Sequence, residues 1–180
     1  MFTWIAKTIS RFFSASLNSF IPLGHLVIRV WLASIFLPAG LLKSESWVST
    51  VYLFSYEYQV PFLNPELAAY LATVIELTWP FLLILGLGGR FSYVILFFYN
   101  IIAVISYPPL LTDQGYTGLQ QHINWGLLIM MLMFYGNGKL SLDYWILSKF
   151  RAVKTRKIIL KAQPLPTGPI KVSINGKKTI

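Results

Sequence analysis

No cysteine occurs among the 180 residues, which excludes structural disulfides, thiol redox chemistry and zinc or iron-sulfur centres held by thiolates. Acidic side chains are scarce, six in all against fifteen lysines and arginines. The only imidazoles are His25 and His122, which fall near opposite faces of the membrane in different apolar runs. They cannot ligate one haem, and without clustered partners no metal is predicted. A Rossmann-type glycine loop is also missing, so the chain has no evident means of carrying electrons alone.

What is plentiful is hydrocarbon. The chain is 56% hydrophobic and only 12% charged, and its apolar residues gather in runs of about 20. That composition fits a polytopic membrane protein rather than a soluble domain. Four such runs use nearly all the chain, and the expected fold is all-α, a four-helix transmembrane bundle with interfacial amphipathic helices. Three parts are expected: an interfacial amphipathic helix at 1–22, a membrane domain at 23–150 and a basic cytoplasmic tail at 151–180.

The second run, residues 64–88, anchors the reading. Asn64 suits a helix cap, Pro65 the first helical position and Glu66 the positive end of the helix dipole. Glu76 and Pro80 sit four apart inside it, and Pro80 removes the usual donor to the Glu76 carbonyl. One turn therefore carries a carboxyl group and a free carbonyl, and unsatisfied polar groups cost several kcal/mol in hydrocarbon, so it should face protein, water or a ligand. Ala69, Ala72, Thr73, Glu76 and Pro80 recur at spacings of three and four and should form a stripe on the inside of the bundle.

Before this run, Ile5, Ile9, Phe12, Leu17 and Phe20 fall roughly on one helical face, which suits a retained interfacial helix rather than a cleaved signal. The first span is expected at 23–42, interrupted by Arg29 and by Pro38, which frees the Ser34 carbonyl. A short amphipathic helix is expected between Lys43 and Leu63, a third span at 91–111 and a fourth at 119–135, which ends at Gly136, Asn137 and Gly138. A second interfacial helix is expected at 140–150, where Ser141 can cap and Asp143 sits in the first turn. In the tail, 170–174 alternates enough for a short strand.

Ten of the fifteen basic residues lie from Lys139 onward, and Lys7, Arg11 and Arg90 fall on the same side. The positive-inside rule then puts both termini in the cytoplasm. Such a cluster implies contact with anionic lipid headgroups and not with nucleic acid.

At about 1.5 Å rise per residue, Ser34, Glu76, Asn100 and Asn124 fall roughly nine to twelve residues from the inner ends of their spans, in one middle layer. Arg29 lies one to two turns below Glu76 and is a candidate to pair with it; otherwise burial would keep Glu76 neutral. The layer is either a structural network that fixes helix registry or a site for a quinone-like head group or a proton path. Glu76, Asn100, Asn124, Ser34 and Arg29 are the candidate cofactor-binding residues, with quinone as the candidate cofactor.

Several of these residues together resemble the DoxX family: Arg29 in the first span, Gly40 and Lys43 at its end, Glu76 followed by Leu82, Leu83, Ile84, Leu85, Gly86, Leu87 and Arg90, and the run Gly136-Asn137-Gly138-Lys139-Leu140-Ser141-Leu142-Asp143-Tyr144-Trp145. The closing Gly-x-Gly-x-x-Ser-Leu-Asp-Tyr-Trp pattern is the most specific element. The chain is most similar to the branch found beside peptide-modifying multinuclear iron enzymes in bacterial metal-stress systems. The resemblance implies a four-helix bacterial inner-membrane protein tied to quinone-linked redox chemistry, as in the small membrane subunit of thiosulfate:quinone oxidoreductase. It implies a protein partner and draws attention to Arg29, Glu76, Ser141 and Asp143. The leading expectation is an accessory subunit that binds quinone or a similar lipophilic molecule. A membrane scaffold or chaperone is the alternative, and a small transporter a third.

Overall fold

The computed structural model describes residues 2–162, with side chains described over 18–155. The elements are six helices, α1 (Phe2–Glu45), α2 (Trp47–Tyr56), α3 (Pro65–Leu85), α4 (Gly89–Ser106), α5 (Tyr116–Tyr135) and α6 (Leu142–Ala162), with two short 3-10 turns between α4 and α5. No strand occurs among the described residues. The chain divides into two compact units, Met1–Ile146 and Leu147–Ile180. The site described below lies wholly in the first.

Within α1, the stretch Asn18–Glu45, together with α3 and α4, is long and apolar enough to cross a membrane. Their outward faces carry large apolar side chains such as Val27, Trp31, Phe81, Phe91 and Phe98, all exposed. In water that much bare hydrocarbon would be costly; against lipid it costs nothing. The α5 helix is 20 residues long, but Gln120, Gln121, His122 and Asn124 make its first half polar.

Local signals in α3 act as their chemistry suggests. The Asn64 side chain accepts from the Leu67 N–H at 2.7 Å, Pro65 opens the helix, and Gly86 closes it in the left-handed region at φ 66°. Ala69, Ala72, Thr73, Glu76 and Pro80 are all buried, so the small and polar stripe does face inward.

Three boundaries differ from expectation. The helix expected at 1–22 is not separate: α1 runs unbroken through Pro22 and Pro38, because each proline removes one backbone donor while its fixed φ suits a helix. The third span was expected to reach residue 111, yet α4 stops at Ser106. Tyr107 precedes Pro108 and is pushed out of the helical region, to φ −120° and ψ 85°, by the steric demand of the proline ring. The helix expected at 140–150 continues as α6 to Ala162, into the part read as tail. The strand expected at 170–174 lies outside the described residues.

Leu32, Ala33 and Phe36 of α1, Leu83 of α3, Tyr93 and Leu96 of α4, and Ile129 and Leu132 of α5 form one buried cluster. A second cluster joins Phe54 of α2 to Ala68, Ala69 and Ala72 of α3. The two clusters lie toward opposite ends of α3, and the polar groups of interest fall between and beyond them.

Candidate functional site

The helices α1 and α3 approach closely at Gly40, where a Cβ atom would lie 2.8 Å from the Glu76 carbonyl carbon. Only glycine permits that approach. Less than one turn later Lys43 is in reach, and its Nζ donates to Glu76 Oε2 at 2.6 Å. The Tyr99 hydroxyl of α4 donates to Glu76 Oε1, also at 2.6 Å. Each carboxylate oxygen thus has one charged or phenolic donor, and the side-chain exposure of Lys43 and Glu76 is only 17% and 7%. Thr50 of α2 donates to the Lys43 carbonyl at 2.8 Å and so fixes the end of α1.

This trio borders a cavity of about 390 Å³ between the helices. Its walls are mostly apolar, among them Phe36, Ala72, Ile75 and Ala103. Phe36 packs edge-on against both Tyr99 and Trp125, and Trp125 against His122, so an aromatic wall runs from the carboxylate to the imidazole. Asn100 donates through Nδ2 to the His122 carbonyl at 2.9 Å, and its Oδ1 lies 2.8 Å from His122 Nδ1. Tyr58 also lines the cavity, edge-on to Phe54 and Tyr107. Burial, then the neighbouring Tyr107, Glu76 and Glu57, raises its phenol above the usual value of 10.0, so it stays protonated. The Ser106 hydroxyl is buried at the same wall with no hydrogen-bond partner.

Of the five residues proposed from sequence, Glu76 lines the cavity and Asn100 supports His122 at its wall. The other three lie elsewhere. Ser34 is exposed, donates to the Trp31 carbonyl at 2.7 Å and belongs to a shallow surface hollow. Asn124 is exposed on α5. Both sit on exposed faces of their helices, and Ser34 lies six residues, about 9 Å, along α1 from Gly40, the residue that meets Glu76. Arg29 does not pair with Glu76; Lys43 does.

Arg29 is instead fully buried among residues near the α3–α4 turn. It donates through Nη2 to the Leu140 carbonyl and through Nε to the His25 carbonyl at 3.4 Å. Nearby, the Tyr93 hydroxyl donates to Asn137 Oδ1, while Asn137 Nδ2 donates to the Gly86 carbonyl at 2.8 Å and to Asp143 at 2.7 Å. Asp143 also accepts from the Gly89 N–H at 2.6 Å, and the Ser141 hydroxyl caps α6 by accepting from the Tyr144 N–H at 3.2 Å. The glycine-rich closing segment therefore ties the α3–α4 turn to the start of α6. Its geometry accounts for Ser141 and Asp143 as structural groups.

Lys43, Tyr99, Ser106 and His122 were not among the sequence candidates. Lys43 could have been found, since Gly40 and Lys43 fall on the face that meets α3; Tyr99 and Ser106 carry no sequence signal that separates them from other residues of an apolar run.

A family model described as DoxX matches residues 24–108. The matched segment holds Lys43, Glu76, Tyr99 and Ser106, and it ends before His122 and the closing glycine-rich pattern. No curated protein and no solved structure gives a significant match to the chain.

Proposed function

We propose that this is a DoxX-like membrane protein with four spans, α5 the fourth, and that its cavity binds a lipophilic molecule with a polar head, quinone being the first candidate. The observation that carries this reading is the Lys43–Glu76–Tyr99 trio at the edge of an apolar cavity of about 390 Å³. Small-molecule sites commonly have volumes of roughly 300–1,000 Å³, mostly apolar walls and a few convergent polar groups. A buried ion pair is retained only when geometry or function rewards it, because desolvation opposes it. A ring seated against the aromatic wall would leave its isoprenoid chain to run between helices into lipid.

Arg90 and the ten basic residues from Lys139 onward support a cytoplasmic placement of their side in a bacterial inner membrane by the positive-inside rule. Lys43, α2 and the 3-10 turns then lie at the outer face, and the cavity occupies the outer half of the membrane. In this placement the chain is an accessory subunit of a redox or metal-stress system, with a partner protein supplying or removing electrons. The basic residues from Lys139 onward are the groups that would meet anionic headgroups.

The test is mass spectrometry of lipids extracted from gently purified protein, comparing wild type with Glu76→Gln. Quinone enriched with wild type and reduced in the variant is the expected result. No quinone in either extract, together with no affinity for added quinone, would overturn the reading and favour a scaffold.

A further inference from the structure

The hydrogen-bonding groups along the cavity are not equivalent, and their differences constrain the occupant. The His122 carbonyl can only accept, so the Asn100 atom 2.9 Å from it must be the amide nitrogen. That fixes the amide, and Asn100 Oδ1 is the atom facing His122 Nδ1 at 2.8 Å. An amide oxygen can only accept, so Nδ1 carries the ring proton. In the neutral imidazole the remaining nitrogen, Nε2, is then a lone-pair acceptor, and it has no hydrogen-bond partner among the described residues. His122 lines the cavity and is held edge-on to Trp125 with ring centroids 4.7 Å apart, so the ring is positioned from two sides.

Across the same space, Glu76 already has a donor on each oxygen, whereas the Lys43 ammonium has three N–H groups of which one is given to Glu76. Ser106 Oγ is buried and unpartnered. Tyr99 and Ser106 lie seven residues apart on α4, about 10 Å along its axis. The cavity thus offers donors from Lys43, a hydroxyl at Ser106 that can turn either way, and an acceptor-only nitrogen at His122.

We infer that the occupant is an amphipathic molecule with an aromatic hydroxyl, of the phenol or hydroquinone class, that donates its O–H to Nε2 of His122. This deepens the reading of the cavity as a lipophilic binding site and rests on it. A molecule whose polar groups are carbonyls alone satisfies Lys43 and Ser106 but leaves the imidazole lone pair unmatched. An unmatched polar group in a site built to pair it is what gives such sites their discrimination. His122 is therefore the residue that selects the reduced, hydroxyl-bearing form over the carbonyl form.

The experiment uses two probes that differ only at the donor and cannot change oxidation state: 4-nonylphenol and its methyl ether, titrated calorimetrically into the purified full chain in detergent. The phenol should bind about tenfold more tightly, the worth of one hydrogen bond, and His122→Phe should reduce the ratio to near one. Equal binding of the two probes by wild type overturns the inference and leaves the cavity reading in place. A phenol preference that survives His122→Phe overturns the assignment to His122. Binding of neither probe overturns the cavity reading itself. Should His122→Phe fail to fold, nitrogen-15 NMR of ring-labelled histidine decides the matter in the wild-type chain, which has two histidines. Protonated Nδ1 and a bare Nε2 whose resonance moves on adding the phenol, but not the ether, are expected. A proton on Nε2 in the free protein would overturn the inference.

Discussion

Removing the charge of Lys43 alone, as Lys43→Met, would strand the Glu76 carboxylate in an apolar cavity with only the Tyr99 hydroxyl to solvate it. Breaking a buried ion pair in this way costs about 3–5 kcal/mol, because the surviving charge is left without compensation. Lys43 keeps 17% exposure at the mouth of the site, so some water reaches the pair, and the lower figure of about 3 kcal/mol applies. Glu76→Gln should cost less, about 1–2 kcal/mol, since the amide still accepts from Tyr99 and the long, partly exposed lysine chain can turn its ammonium toward solvent. The double variant removes both charges and should be less destabilised than the two single costs added together, with a coupling of at least about 1.5 kcal/mol. Equilibrium unfolding in mixed micelles, with helicity read by circular dichroism as SDS is increased, measures all four corners of the cycle. If the single effects add to within about 0.5 kcal/mol, the two side chains do not share one interaction and the assignment of Lys43 as the partner of Glu76 is wrong.

Gly40→Ala places a methyl 2.8 Å from the Glu76 carbonyl carbon and 2.9 Å from its Cβ, so α1 must move off α3. A loss of about 2–3 kcal/mol is expected by the same unfolding assay, as for an overpacked contact, while Gly24→Ala, with nothing within 4 Å, should be near neutral. Asp143→Ala removes the acceptor for both the Gly89 N–H and Asn137 Nδ2 and should cost about 2–3 kcal/mol and speed proteolysis at the Gly136–Asn137–Gly138 segment, whereas Asp143→Asn should retain part of that stability. The raised Tyr58 phenol binds its proton more tightly folded than unfolded, so the stability it contributes is complete below pH 10 and is lost as pH rises through its folded value. Ultraviolet difference titration of wild type against Tyr58→Phe should locate that phenol above 10, and a normal titration would show that it is not enclosed.

The amino-acid sequence determined the apolar class of the chain, the start of α3 and its inward face. Asn64, Pro65 and Gly86 act on the backbone within one turn of themselves, and the alternation of small and polar residues with leucine at helical spacing needs no neighbour to be read. It also marked Glu76, since an acid in the middle of an apolar run must be accommodated wherever the helix goes. Hydropathy alone carried the third span to residue 111, whereas the steric effect of Pro108 on the residue before it ends α4 at Ser106. Partners were decided only in three dimensions. Arg29 and Lys43 both lie on α1 within a few turns of Glu76 in depth, and the approach at Gly40 selects Lys43 while Arg29 is claimed by the Leu140 and His25 carbonyls. Ser34 and Asn124 are exposed and do not line the cavity, because rotation about a helix axis is set by packing against neighbours. Tyr99, Ser106 and the tautomer of His122 acquire meaning only when α4 and α5 meet, since a hydroxyl or an imidazole nitrogen becomes a binding group according to which of its hydrogen bonds the fold has already used.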